Sequence, residues 1–315
     1  MRDKSQISDQ RSAALAPARR SGASAGVSHQ PSPTSDFQPP ASNLQSPISD
    51  SQLDELVAAV LSSPKYYHIT PDFVRSVGSQ ELSKRRTQKE AVKATKNKLH
   101  QVAGAYLAAG TQYAAWLEEL EQTSRSGDRE RFLKVCAQVM SYHSSTAERL
   151  TLLDRFYATI LAGLPPIRSI LDVACGLNPL AIPWMPLEEG ADYYAVDIYR
   201  DMADFLYRFM ALTSVQGHAQ AGDVLQGSPP KPADVALVLK SVPCLEQVDK
   251  SAGRRLLDTL DAAHLLVSFP VYSLGGRSKG MAATYEAHFR QLVAGRGWRI
   301  ERFEFTTELV FRISK

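Results

Sequence analysis

Short apolar segments recur through the second half of the chain, and most are separated by a stretch with helical periodicity. We predict strands at 168–174, 192–197, 217–222, 234–239, 264–268, 299–305 and 308–314. This alternation favours a doubly wound, mostly parallel sheet with helices on its faces. Only Thr306 and Thr307 separate the last two strands, so these are predicted to form an antiparallel hairpin.

The first half of the chain shows helical periodicity with no convincing strand. Helices are predicted to begin at Ser51, Pro71, Thr87 and Thr111, to cover 128–142, and to run from Ser145 to Leu161. Thr87 and Glu90 form a capping box, and that helix is expected to run toward Ala109. Residues 1–50 are rich in Ser, Pro, Ala and Gln, which predicts a disordered tail. The expected division is therefore a tail at 1–50, an all-helical domain at 51–162 and a Rossmann-type domain at 163–315.

Composition narrows the class of protein. Cys136, Cys175 and Cys244 lie far apart and are odd in number, which disfavours disulfides or a zinc site and fits a reducing cytoplasm. No apolar run approaches the roughly 20 residues that span a bilayer, so no membrane association is expected. A formal net charge of +3 does not by itself indicate a nucleic-acid binder.

The ends of the first two predicted strands fit a nucleotide-containing cofactor. Residues 171–179 (L-D-V-A-C-G-L-N-P) stand where a Rossmann-type loop turns tightly, with Gly176 flanked by Ala174 and Asn178. A plain strand–helix turn explains this segment equally well. Asp197 ends the second strand at the offset expected for a carboxylate that binds ribose hydroxyls, and this role is favoured over a helix cap.

The ends of the third and fourth predicted strands are expected to lie at the same edge of the sheet as Gly176 and Asp197. Asp223 and Val224 follow the third strand, where an acid can accept a hydrogen bond from an adenine amine or simply occupy a surface turn. Leu239 and Lys240 end the fourth strand. The same arrangement of strand ends and acidic residues also occurs in enzymes that bind a nicotinamide cofactor. Those enzymes normally carry the motif G-x-G-x-x-G, which the loop around Gly176 does not match well. An antiparallel strand at the end of an otherwise parallel sheet is instead typical of class I methyltransferase domains.

Pro243 and Cys244 follow the fourth strand, as in cytosine-C5 methyltransferases with a cysteine nucleophile. Those enzymes usually carry another cysteine after the fifth strand, where this chain has Ser268-Phe269-Pro270. Cys244 is therefore interpreted first as a small buried apolar residue. No D-P-P-Y or N-P-P-Y motif follows the fourth strand, which disfavours methylation of an exocyclic amine.

Residues 143–149 (H-S-S-T-A-E-R) lie just before the predicted sheet. Periodicity favours an ordinary helix start, with Ser145 and Glu148 as a capping box. Arg149 lies one turn into that helix and can alternatively pair with the carboxylate of a methionine moiety.

Two basic segments stand out against the modest net charge. Lys89, Lys93 and Lys96 share one face of a predicted helix and follow Lys84-Arg85-Arg86, which indicates either a solvated face or a phosphate-binding face. Residues 273–281 (S-L-G-G-R-S-K-G-M) follow the fifth strand. This loop carries Arg277 and Lys279, and we predict that it contacts a target base or its phosphates.

With these motifs in place, the chain resembles the aminoglycoside-resistance 16S rRNA (guanine(1405)-N7)-methyltransferase family from about residue 53 to its C-terminus. The resemblance rests on K-Y-Y-H-I-T-P-D-F-V-R at 65–75, K-N-K-L-H at 96–100, H-S-S-T-A-E-R at 143–149, D-V-A-C-G-L-N-P at 172–179, V-D-I-Y at 196–199, S-F-P-V-Y-S-L-G-G-R-S-K-G-M at 268–281 and E-L-V-F-R-I at 308–313. The chain departs from the family at Tyr272, where a basic residue is usual, and at Ser278, where glycine is usual.

The resemblance implies a class I methyltransferase sheet, preceded by a helical domain that docks on 16S rRNA in the assembled 30S subunit, and S-adenosylmethionine as cofactor. Taken with the two basic segments, this docking makes Lys84, Arg85, Arg86, Lys89, Lys93, Lys96, Arg277 and Lys279 the predicted RNA-binding residues. The resemblance implies as cofactor-binding residues His143, Ser144, Ser145, Thr146, Ala147, Glu148, Arg149, Ala174, Asp197, Asp223, Val224, Leu239 and Gln247, and the loop after the first strand adds Gly176. No metal is expected, and a monomer is expected.

The implied chemistry needs no catalytic base, because guanine N7 has a free lone pair and no proton to remove. Positioning of the two reactants is the main requirement, and the candidate residues for it are Arg149, Lys240, Arg277 and Lys279.

Three alternative functions remain open: a cytosine-C5 methyltransferase that uses Cys244, a ribosome-binding protein without activity, and a nicotinamide oxidoreductase. The pattern fits a role in drug resistance, in self-protection or in housekeeping equally well.

Overall fold

The computed structural model describes residues 49–272 and 280–315. The predicted tail at 1–50 therefore lies outside the described residues, except for Ser49 and Asp50, which already form the start of the first helix. Most of the predicted loop at 273–281, including Arg277 and Lys279, also lies outside them.

One seven-stranded sheet organises the second half of the chain. Its strands are β1 (Ser169–Val173), β2 (Asp192–Asp197), β3 (Gln216–Ala221), β4 (Ala233–Leu239), β5 (Ala262–Pro270), β6 (Arg299–Glu304) and β7 (Glu308–Ser314). The order is β3-β2-β1-β4-β5-β7-β6. Strands β1 to β5 run parallel, and β7 runs antiparallel to both β5 and β6. The predicted sheet class and the terminal hairpin are confirmed.

Helices precede the sheet and cover its faces. They are α1 (Asp50–Leu61), α2 (Pro71–Leu82), α3 (Gln88–Leu99), α4 (Tyr113–Ser126), α5 (Arg129–Met140), α6 (Ser144–Ala147), α7 (Leu153–Ile160), α8 (Arg200–Met210), α9 (Val242–Val248), α10 (Ala252–Thr259) and α11 (Met281–Leu292). A π-helical turn follows α3 at His100–Gly104, and short 3-10 helices lie at Leu150–Leu152 and Asn178–Trp184.

Several predicted helix boundaries are wrong. Helix α1 is capped by Ser49 rather than Ser51, since the Ser49 side chain accepts the backbone N–H of Gln52 at 3.2 Å. Helix α3 is capped by Thr87 as predicted, but it ends at Leu99 and gives way to the π-helical turn instead of running toward Ala109. Helix α4 begins at Tyr113, two residues after the predicted start.

The predicted continuous helix from Ser145 to Leu161 is also wrong. The segment divides into α6, a 3-10 turn and α7. Its start is fixed by the neighbouring chain, because the Ser144 N–H donates to the Tyr106 carbonyl at 2.8 Å. Farther on, the Arg149 side chain is held in a buried ion pair with Glu308. These tertiary contacts replace the local capping box that the sequence pattern favoured.

The helices before β1 contribute to the apolar cores on both faces of the sheet. Leu56 and Val77 belong to the core that also contains Val238 and Phe269. Trp116 and its neighbours on α4, α5 and α7 belong to the opposite core. Helices and sheet therefore share their cores, and the division of domains near residue 162 stays a prediction. Each of the described helices is too short or too polar to cross a bilayer.

Helix α8 offers a matched test of this packing. Phe209 is fully buried and stacks on Phe132 of α5 with ring centroids 6.2 Å apart, whereas Tyr207 on the same helix is 56% exposed. Phe209→Ala is expected to lower the free energy of unfolding by about 3–5 kcal/mol, because it leaves a cavity between α5 and α8. Tyr207→Ala should change it by only about 0.5 kcal/mol or less. Urea denaturation measures both, and equal losses would contradict the packing described.

Candidate cofactor-binding site

A cavity opens at the carboxyl ends of β1, β2 and β4, where the strand order reverses on either side of β1. Open α/β sheets bind their ligands in a crevice of this kind. The helical part of the chain supplies the opposite wall. The cavity is lined by Phe73, Val102, Ala103, Tyr106, His143, Ser145, Ala174, Val196, Asp197, Ile198, Tyr199, Gly222, Val224, Leu239, Lys240, Ser241, Cys244 and Leu245.

Backbone strain is concentrated at the rim of this cavity. Ala174, just after β1, has φ +50°, and Lys240, just after β4, has φ +57°; they are the two non-glycine residues with positive φ in the described part of the chain. Such conformations cost energy and persist where the surrounding structure fixes them, often at functional sites. The two residues directly follow β1 and β4, which are adjacent strands in the sheet.

Gly176 is required by the neighbouring His143 ring. Its φ is +53°, and a Cβ atom there would lie 2.9 Å from both Cε1 and Nε2 of His143. Glycine therefore satisfies two constraints, the left-handed backbone and the close approach of the imidazole. The predicted tight turn is present, followed by a 3-10 helix at Asn178–Trp184 that contains Pro179 and Pro183.

Asp197 holds the turn at the end of β2. One of its carboxylate oxygens accepts the Gly176 N–H at 2.8 Å, and the other accepts the Ile198 N–H at 2.7 Å. Burial raises its pKa, while the backbone N–H groups of Gly176 and Ile198 favour the charged form. Each carboxylate oxygen can accept a further hydrogen bond. The side chain lines the cavity and is able to bind a hydroxyl group.

Asp223 lies beside the cavity and is held from two sides. Its carboxylate accepts the Ser76 hydroxyl of α2 at 2.6 Å and the Leu225 N–H at 2.8 Å. Burial raises the pKa of Asp223. Its neighbour Val224 lines the cavity directly, and so does Phe73 from α2. Helix α2 therefore forms the wall at this end of the cavity.

A buried charge network closes the opposite side. Arg149 is 1% exposed and donates two hydrogen bonds to Glu308, Nη2–Oε1 at 2.8 Å and Nε–Oε2 at 3.0 Å. Its Nη1 donates to Asn178 at 2.7 Å. Lys240 lines the cavity, and its Nζ lies 2.7 Å from Oε2 of Glu148.

His143 is neutral near pH 7. Burial, together with the positive charges of Arg149 and Lys240, lowers its pKa to about 4. Its Nδ1 lies 2.8 Å from the Ser145 hydroxyl, and its ring stacks on Tyr106 with centroids 6.3 Å apart. The imidazole thus serves as an uncharged wall of the cavity.

The structure brings together about half of the predicted cofactor residues. Those that line the cavity are His143, Ser145, Ala174, Asp197, Val224 and Leu239, with Lys240 from the predicted positioning residues. Ser144, Thr146, Ala147, Glu148, Arg149, Gly176, Asp223 and Gln247 do not line it. Thr146 donates to the Met140 carbonyl, and the Gln247 carbonyl accepts the Lys98 ammonium.

Sequence reasoning missed the helical wall of the cavity. An apolar stripe on the predicted helix contains Val102, Ala103 and Tyr106, and it predicts ordinary core packing. The sequence pattern of a buried core helix cannot be distinguished from that of a helix that lines a cavity. Phe73 and Leu245 were missed for the same reason. The three residues in and just after the π-helical turn carried one usable signal, because the motif K-N-K-L-H at 96–100 leads into that turn.

The predicted basic face is only partly free of ion pairs. Lys84 and Arg85 both lie within 4 Å of the buried Glu81 carboxylate, at 3.7 and 2.9 Å. Arg86, Lys89 and Lys93 are exposed, and no carboxylate pairs with them in residues 49–272 and 280–315. Lys96 is half-buried and donates to the Ser63 hydroxyl at 2.6 Å. Within the same ranges, no cluster of His, Cys, Asp and Glu could hold a metal.

Comparisons with known proteins identify relatives across most of the chain. A sequence family described as "Ribosomal RNA methyltransferase (FmrO)" matches residues 62–312. A 16S rRNA (guanine(1405)-N(7))-methyltransferase of Micromonospora rosea is 37% identical over 84% of this chain and 98% of its own length. A protein of the same name from Frankia casuarinae is 37% identical over 84% of this chain and 94% of its own. The crystal structure of the 16S rRNA methyltransferase RmtF in complex with S-adenosyl-L-homocysteine has a TM-score of 0.72 and 28% identity, covering 85% of this chain and 100% of that chain.

A double-mutant cycle tests the contact between Gly176 and His143. Gly176→Ala is expected to lower the free energy of unfolding by about 1–2 kcal/mol through the left-handed backbone. The clash with the imidazole should add about 1–3 kcal/mol. Replacing His143 with alanine as well should recover that second part.

Gly127→Ala is the matched control, because Gly127 has φ +71° and open space around its Cβ position. Gly127→Ala should lower the free energy of unfolding only by the contribution of the left-handed backbone, about 1–2 kcal/mol. An identical loss in Gly127→Ala and Gly176→Ala would contradict the close approach of the imidazole.

Proposed function

The chain belongs to the FmrO family of ribosomal RNA methyltransferases, and we propose that it transfers a methyl group from S-adenosylmethionine to N7 of guanine 1405 in 16S rRNA. The observation that carries the proposal is the match to relatives of that name over 84% of this chain. The cavity at the strand ends supplies a site of the right kind for the cofactor. Resistance to 4,6-linked aminoglycosides is the expected phenotype.

The cavity residues fit the parts of S-adenosylmethionine in order. Asp197 would accept hydrogen bonds from the ribose hydroxyls, as expected for an acid at the end of β2. Val224, which lines the cavity, would pack against the adenine, with Asp223 beside it as an acceptor. Leu239 borders the middle of the cavity. Lys240, with Arg149 behind it, supplies the positive charge that a methionine carboxylate needs.

Positioning is the main task of the protein in this reaction. S-adenosylmethionine would supply an electrophilic methyl group to the free lone pair of guanine N7; as the nitrogen–carbon bond forms, the carbon–sulfur bond would break and S-adenosylhomocysteine would leave. No proton has to be removed, so neutral His143 is not needed as a base. The walls of the cavity would hold the two reactants in line, and positioning of this kind can lower a reaction barrier by about 7–11 kcal/mol. The target guanine has to leave its stack, which costs a few kcal/mol.

We propose that the helical region at 51–162 docks on 16S rRNA within the assembled 30S subunit, and that the protein acts there as a monomer in the cytoplasm. Exposed cations on α3 and in the segment before it support this role, since neutralising phosphates releases counterions and favours binding. Arg86, Lys89 and Lys93 are the strongest candidates, because Lys84 and Arg85 share Glu81. The predicted contribution of Arg277 and Lys279 belongs to the same proposal.

The cations on this surface can be tested by salt dependence. The triple change Arg86→Ala, Lys89→Ala and Lys93→Ala should weaken binding to 30S subunits. It should also reduce the slope of log K against log salt concentration by about 2–3, because three phosphate contacts are lost. The charge-preserving triple change Arg86→Lys, Lys89→Arg and Lys93→Arg is the control and should keep the slope. An unchanged slope in the alanine variant would remove these residues from the RNA-binding surface.

Cys244 lines the cavity, which is where the nucleophile of a cytosine-C5 methyltransferase would have to lie. The cytosine-C5 alternative therefore needs its own test. Burial raises the pKa of its thiol, which favours the protonated and unreactive form. Its Sγ lies 3.9 Å from the Lys240 carbonyl, a contact suited to packing. Cys244→Ser is therefore expected to retain methyl transfer within about threefold, whereas a nucleophile would lose several orders of magnitude. Single-turnover transfer from labelled S-adenosylmethionine measures the difference.

The proposed function is tested by methyl transfer from labelled S-adenosylmethionine to purified 30S subunits, with the product mapped by reduction and aniline cleavage. Cleavage at guanine 1405 is the expected result. Label at another nucleotide would keep the methyltransferase and reject the assigned target. The absence of label on both subunits and bare rRNA would favour a binding protein without activity.

A further inference from the structure

Glu308, the first residue of β7, is fully buried and surrounded by donors. Its Oε1 accepts Nη2 of Arg149 at 2.8 Å and the Ser268 hydroxyl at 2.5 Å. Its Oε2 accepts Nε of Arg149 at 3.0 Å and lies 3.4 Å from Nζ of Lys240. A carboxylate without access to water requires partners of this kind.

The two cations held by Glu308 lie at one end of the cavity. Lys240 lines the cavity and shares its ammonium between Glu308 and Glu148, with Nζ–Oε distances of 3.4 and 2.7 Å. Arg149 lies behind it and reaches the loop after β1 through Asn178. The network thus contains two cations and two carboxylates, of which Glu308 is the one that contacts both cations.

Ser268 of β5 connects Glu308 to the backbone of Lys240. Its hydroxyl donates to Glu308, and the same oxygen accepts the backbone N–H of Lys240 at 3.0 Å. That N–H belongs to the residue with φ +57° at the end of β4. Glu308 therefore fixes both the side chain of Lys240 and, through Ser268, the strained backbone from which this side chain leaves.

The hairpin also holds the other end of the network. Thr307, in the turn between β6 and β7, donates its hydroxyl to the Glu148 carbonyl at 3.0 Å. Burial raises the pKa of Glu308, but the adjacent charges of Arg149 and Lys240 outweigh it and leave that pKa below the ordinary value. The carboxylate is consequently charged throughout the neutral range.

We infer that Glu308, held in place by Arg149, is a positioning residue that orients Lys240 toward the amino-acid moiety of the cofactor. The inference rests on the proposed function, because it concerns the same cavity. It gives the terminal hairpin a part in cofactor recognition, although the hairpin lies outside the crevice formed by β1, β2 and β4. Glu308 itself touches only protein groups in this role.

Two probes separate this role from a general contribution to stability. S-adenosylhomocysteine carries the complete amino-acid moiety, whereas 5′-methylthioadenosine keeps the adenine, the ribose and the sulfur but lacks it. Glu308→Gln keeps the shape and removes the charge. It should weaken S-adenosylhomocysteine binding roughly tenfold or more, the effect of misplacing one charge-assisted hydrogen bond. Binding of 5′-methylthioadenosine should change by less than about threefold in calorimetric titrations.

Glu301→Gln is the matched control, because Glu301 lies in the same hairpin and pairs with Arg312 at 2.6 Å. It should leave both affinities unchanged. Ser268→Ala provides a second variant that keeps the buried charges together, so it tests the inference even when loss of the Glu308 charge prevents folding. It should weaken S-adenosylhomocysteine binding selectively, by about threefold to tenfold.

Equal weakening of the two probes in Glu308→Gln and Ser268→Ala would overturn the inference and leave Glu308 a purely structural residue. Failure of the proposed function has a different signature. In that case the unaltered protein would bind neither probe, or would bind both without preferring S-adenosylhomocysteine.

Discussion

The buried ion pair between Arg149 and Glu308 joins parts of the chain that are 159 residues apart. Neither charge has access to water, so each depends on the other, and removing one partner would leave an uncompensated buried charge. The pair fixes the segment 143–149 against the terminal hairpin. Lys240 and Ser268 then connect it to the ends of β4 and β5. One side of the cavity therefore depends on this interaction.

The helical half of the chain is equally part of the site. Phe73 of α2 and Val102 and Ala103 of the π-helical turn line the cavity, and Ser76 holds the Asp223 carboxylate. The same helices carry or adjoin the exposed cations Arg86, Lys89 and Lys93. A ligand that rearranges α2 or α3 would consequently change the wall of the cavity. Thermodynamic linkage requires that occupation of the cavity has the reciprocal effect on binding at that surface.

The sheet could be predicted from sequence because its signals are local. Apolar strands of the right length, the two-residue hairpin turn and Asp197 at a strand end can all be recognised within a short window. Glu308 could not be predicted, because it begins the segment E-L-V-F-R-I and has the pattern of an ordinary strand residue. Its burial follows from β7 lying between β5 and β6, which is a property of the whole sheet. The broken helix after Ser145 was missed for a related reason, since distant contacts override its capping box.

The most direct measurement is a calorimetric titration of the unaltered protein with S-adenosylhomocysteine and, separately, with NAD⁺. Both ligands contain adenosine, and both suit a crevice at the ends of parallel strands. A difference between their affinities therefore shows which of the two cofactors the cavity binds. We expect one binding site for S-adenosylhomocysteine per chain and no detectable heat from NAD⁺. Saturable binding of NAD⁺ with no binding of S-adenosylhomocysteine would contradict the proposed cofactor.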